Sequence, residues 1–116
     1  ACPDTAEGYE LVREAFVRTA DEMQAERVIH CAGAFGIVHV RRLADDFAAA
    51  GRPAAALAAL LFYGEAGGTA DAAYLYETGR ACLALGKRDE GGAYLSRALA
   101  AEPDTRKVRE LMELIQ

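Results

Sequence analysis

The stretch AAYLYETGRACLALGKRDEGGAYLSRALAAEP, residues 72–103, decides the fold. Leu75, Cys82, Leu83 and Leu85 precede Gly86, and Tyr94, Leu95, Ala98 and Leu99 follow it. Spacings of three and four place each set on one face of a helix. Gly86 suits the left-handed residue just past a helix end, so the stretch reads as helix, turn, helix. Thr69 or Asp71 is placed to cap the first helix and Asp89 the second.

The same block recurs upstream. A shift of 35 residues lays Gly51-Arg52 on Gly86-Lys87, and Val40, Ala44, Ala56 and Leu60 on Leu75, Gly79, Gly91 and Leu95. Pro53 then falls in the first turn of a helix, where the missing donor costs nothing. A third, degenerate copy begins near Pro3-Asp4-Thr5, which repeats Pro103-Asp104-Thr105, and carries Tyr9, Val12, Phe16, Ala25 and Ile29. Asp21 is placed to cap its second helix. The connector to the next block is Gly33-Ala34-Phe35-Gly36, whose glycines favour a break over one long helix from Glu26 to Ala50. Beyond Pro103, Val108, Leu111, Met112 and Ile115 form one apolar face, suited to closing the end of a repeat array.

Residues 72–105 resemble a tetratricopeptide repeat, the 34-residue helix-turn-helix unit with the pattern W-x2-L-G-x2-Y, A-x3-F and P. Here it reads Leu75, Thr78-Gly79 and Cys82, then Gly91 and Leu95, then Pro103, with Ala98 at the later small position. The block before it fits as Val40, Leu43-Ala44, Phe47, Gly51, Ala56 and Leu60, with Gly68 where the proline belongs. The resemblance implies an all-α fold: antiparallel helix-turn-helix repeats stacked as a short right-handed α-solenoid of about seven helices. A single domain would span 1–116, with repeats at 6–36, 37–71 and 72–105 and a capping helix at about 105–116.

Composition agrees with a helical chain. Alanine fills 26 of 116 positions, Trp is absent and Pro occurs three times, and alanine loses least on entering a helix. The net charge of −5 comes from residues 1–26, where seven acids face Arg13 and Arg18; the remaining 90 residues hold 11 acids and 11 bases. That balance disfavours nucleic acid, which needs a basic patch. No apolar run approaches the roughly 20 residues that span a bilayer. Cys2, Cys31 and Cys82 lack the paired spacing of zinc or redox motifs and read as two buried small residues and one terminal thiol. No cofactor or metal is expected. The location expected is cytoplasmic; if Ala1-Cys2 marks a lipoprotein site, it is periplasmic or lipid-anchored.

In tetratricopeptide arrays the first helix of each repeat lines a concave groove that holds peptides. Carried over by position, that groove is lined by Glu7, Glu10, Glu14 and Arg18 from the first copy, Arg41 and Asp45 from the second, and Tyr76 and Arg80 from the third. The resemblance thus implies a non-catalytic module binding a mixed-charge peptide or helix of a partner protein. Chaperone-binding members clamp a carboxylate with Lys and Asn where Glu10 and Glu14 stand, which argues against that role. Leu61-Phe62-Tyr63 and Tyr74 read as packing residues. Gly67-Gly68 and Gly91-Gly92 lack the Lys-Ser/Thr of a phosphate loop.

Two other readings compete. One is self-association into a homo-oligomer through exposed repeat ends. The other is a small metal or thiol enzyme using His30, Cys31 and His39, although His30 and Cys31 would point about 100° apart on a helix.

Overall fold

The computed structural model describes residues 5–102 and 106–115. Cys2, Pro3 and Pro103 lie outside the described residues. All regular structure among the described residues is helical: α1 (Ala6–Thr19), α2 (Glu22–Phe35), α3 (Ile37–Ala49), α4 (Pro53–Glu65), α5 (Ala72–Ala84), α6 (Arg88–Ala101) and α7 (Arg106–Ile115). The fold is all-α, with seven helices and neighbours in sequence packed together within two compact units, Ala1–Gly68 and Thr69–Gln116.

Local chemistry sets the helix ends. Thr5 accepts from the Gly8 amide, and Asp21 from Gln24, whose side chain returns a bond to the Asp21 amide. Each bond satisfies an amide that the first helical turn leaves open. Asp71 caps α5 by accepting from Tyr74. Asp89 does not cap α6: that helix starts at Arg88 after Lys87, so Asp89 lies inside the first turn, where its charge complements the helix dipole. The turns after α3 and α5 are the same structure. Gly51 and Gly86 adopt φ of 73° and 79°, and the next amides, Arg52 and Lys87, donate back to Phe47 and Cys82 at 2.9 Å. Such a φ is cheap only for glycine, and the repeated bond closes both helices identically. The end of α4, where the repeat pattern would place proline, closes the same way, with Gly68 donating to Tyr63.

In unit 1 the helix break falls at Gly36 alone, with φ of 128°. Gly33 lies inside α2, because the Phe62 ring of α4 rests on its backbone: a Cβ there would sit 2.8 Å from Phe62 Cε1. The core of the unit gathers Tyr9 and Val17 from α1, Ala25, Ile29 and Ala32 from α2, Val40, Leu43, Ala44 and Phe47 from α3, and Ala56, Ala59 and Leu60 from α4. Arg52, in the α3–α4 turn, stacks over Phe47 and donates from Nη1 to the Val17 carbonyl at 3.0 Å. It thereby satisfies one of the carbonyls that the end of α1 leaves open.

In unit 2, α5 and α6 touch backbone to backbone. A Cβ on Gly79 would lie 3.1 Å from the Gly91 carbonyl and 2.9 Å from Leu95; one on Gly91 would lie 3.1 Å from the Gly79 carbonyl and 2.8 Å from Leu83. Leu75, Thr78, Cys82, Leu95, Ala98 and Val108 complete this core. Thr78, the one buried polar residue there among the described residues, donates to the Tyr74 carbonyl at 2.7 Å, so its hydroxyl is satisfied at a position where the repeat pattern has leucine.

Candidate interaction face

In unit 1, α1 and α3 lie side by side and run in the same direction. Near their starts, Glu10 Oε1 is 3.2 Å from His39 Nδ1; further along, Arg13 Nε is 3.0 Å from Asp46 Oδ2. Arg13 Nη1 also holds Glu10 Oε2 at 3.0 Å, so one guanidinium joins carboxylates from both helices. The fork geometry of arginine suits that double grip. The His39 ring is not aimed for a hydrogen bond to Glu10 despite the short distance. These side chains are half-exposed and form a polar seam.

Tyr9 lies beneath the seam. Its ring meets Phe35 at 5.9 Å and His39 edge-on at 5.8 Å. The side chain is fully buried and its hydroxyl has no hydrogen-bond partner. This phenol is pushed up to about 12, chiefly by burial; Arg13 pulls it down, and the Glu10 and Asp46 carboxylates push it up. An unpaired hydroxyl in a closed core is a cost the fold carries.

Of the residues expected to line a groove, Glu7, Glu14 and Arg18 are exposed along α1 and Asp45 is exposed on α3. Arg41 is half-buried, with its guanidinium 5.7 Å from the centre of the Tyr63 ring. In unit 2, Tyr76 is half-buried and Arg80 exposed, both on α5. The seam brings Glu10 to Arg13, His39 and Asp46 rather than to Arg41 or Asp45. Arg13 and Asp46 were not anticipated from the sequence, although the three-residue spacing of Glu10 and Arg13 marks a helix-surface pair.

His30, Cys31 and His39 have separate environments. His30 is exposed and packs edge-on against Phe62 at 5.0 Å, whereas His39 packs against Tyr9. Cys31 is buried and disulfide-bonded, not the free buried thiol expected, and in that state it has no thiolate to act as a nucleophile. Cys82 is the free, buried cysteine. Among the described residues no group of three His, Cys, Asp or Glu side chains is arranged to hold a metal, and no helix is long and apolar enough to cross a membrane.

Beside the seam, the first half of the chain is acidic: residues 1–68 hold 10 acids and 6 bases, a net −4, against 8 acids and 7 bases, a net −1, in residues 69–116. No protein-family model, curated protein or solved structure matches the chain.

Proposed function

We propose that the chain is a non-catalytic interaction module of tetratricopeptide type, and that unit 1 holds a cationic stretch of a partner protein along α1 and α3. The observation that carries this reading is the parallel pair of first helices, with Glu7 and Glu14 exposed beside a seam whose arginine is already engaged by two carboxylates. An acidic face steers basic segments and disfavours acidic ones. A cationic ligand replaces the mixed-charge one expected from sequence, because Arg41 lies over Tyr63 and Arg18, exposed on α1, is outnumbered by the exposed Glu7, Glu14 and Asp45. The disulfide at Cys31 favours work in an oxidising compartment over the cytoplasm.

An array of basic, neutral and acidic peptides tests the reading. Basic peptides should bind and weaken as salt rises, and the reversal Glu7→Lys/Glu14→Lys should reduce their affinity about tenfold with an unchanged melting temperature. Equal binding of basic and acidic peptides, or an unaffected double variant, would reject it. Self-association is the second reading, favoured by Leu11, which is 85% exposed on α1, and by Val38, 55% exposed on α3. A constant monomer mass in sedimentation up to millimolar concentration would dismiss it.

A further inference from the structure

Unit 1 contains a cavity of about 470 Å³ between the last turns of α1 and the inward edge of α2. It lies within the size range of small-molecule sites, roughly 300–1,000 Å³. Phe16, Ala20, Val28 and the disulfide-bonded Cys31 give it an apolar lining, and Thr19, Gln24 and Arg27 give it polar groups.

The free hydrogen-bonding capacity of these polar groups is unbalanced. The Gln24 carbonyl oxygen already accepts from the Asp21 amide at 3.0 Å, leaving the amide NH2 as its open end. The Thr19 hydroxyl proton is already donated to the Ala15 carbonyl at 2.7 Å. Arg27 is exposed and carries no ion pair or hydrogen bond among the described residues. It is also the only charged residue among the described residues of the lining. Among the described residues the lining thus sets a guanidinium and an amide NH2 beside an apolar surface, donors with almost no acceptor, the complement of an anion with a hydrocarbon body.

The geometry points to a binding site for a small monocarboxylic acid with an apolar tail, its carboxylate on Arg27 and Gln24 and its tail against Phe16, Ala20 and Val28. This site shares no residue with the α1–α3 seam, and the monocarboxylate site stands whether or not the seam binds a peptide.

Titration calorimetry of the full, unreduced chain with octanoate tests it, with 1-octanol as the uncharged probe of equal length. Octanoate should bind saturably at one site, and octanol at least about tenfold more weakly. Arg27→Gln should weaken octanoate about tenfold, and Thr19→Trp, a bulky change at an exposed rim position, should abolish binding. Arg42→Gln, which removes an exposed charge on α3 outside the lining, should leave it unchanged. Circular dichroism confirms that each variant is folded. No saturable octanoate binding, octanol binding as tight as octanoate, or undiminished affinity in folded Arg27→Gln would each overturn the assignment.

Discussion

The Tyr9 hydroxyl is a polar group with nothing to bond in a core that otherwise consists of fitted apolar side chains. Replacing it with hydrogen removes an unsatisfied group without opening a cavity, so Tyr9→Phe should be neutral or stabilising by about 1 kcal/mol at neutral pH. Chemical denaturation measures this, and a loss above about 1 kcal/mol would mean that the hydroxyl has a partner. The phenol also carries a pH signature. In the unfolded chain it ionises near 10, whereas in the fold it holds its proton to about 12. Between those values the unfolded state binds fewer protons, so stability is intact below about pH 10 and falls by roughly 2–3 kcal/mol as pH rises to 12. Tyr9→Phe should flatten that alkaline limb. The seam above Tyr9 was hard to read from sequence for a physical reason. Repeat matching assigns Asp45 to a groove, yet it is Asp46 that reaches Arg13; neighbouring helical residues point about 100° apart, so the rotation of α3 selects between them. Spacing records which faces are apolar and leaves that rotation undetermined to within a residue.

Among the helices, the α5–α6 pair was the most legible in the sequence, because its message is steric. The smallest residues stand where each backbone meets the other, and larger ones fill the space on either side. An added methyl at Gly79 or Gly91 would meet a leucine side chain at 2.8–2.9 Å and a backbone carbonyl at 3.1 Å. The leucines can yield by a few tenths of an ångström, but the carbonyls move only with their helices. Gly79→Ala and Gly91→Ala should therefore each destabilise by about 1–3 kcal/mol, even though alanine is the better helix former by roughly 1 kcal/mol. Thermal unfolding followed by circular dichroism decides it; a raised melting temperature would mean that the helices can separate freely. By contrast, Gly33 read as connector and proved to be a helix residue beneath Phe62. A glycine that breaks a helix and one that admits a distant ring look alike until the partner helix is in place.

For the whole chain, the three cysteines summarise what sequence can and cannot convey. Their spacing matched no metal or redox motif, and pairing depends on Cα separation in space, which the sequence does not reveal. Cys31 is bridged and Cys82 is a buried thiol, pushed up by desolvation and by the Glu90 carboxylate against the pull of Lys87. In native, unreduced protein neither should alkylate quickly. Denaturant should open Cys82 to labelling at the rate unit 2 unfolds, whereas Cys31 should label only after reduction; rapid native labelling at Cys82 would contradict its burial. The helix boundaries, by contrast, were almost all legible, since glycine turns and caps act over three or four residues and need no tertiary partner. One exception to that locality is the Arg52 bond to the Val17 carbonyl. The fastener that finishes an earlier helix is carried by a later stretch of chain. Deletion of residues 37–68 would leave the preceding pair with an unclosed end.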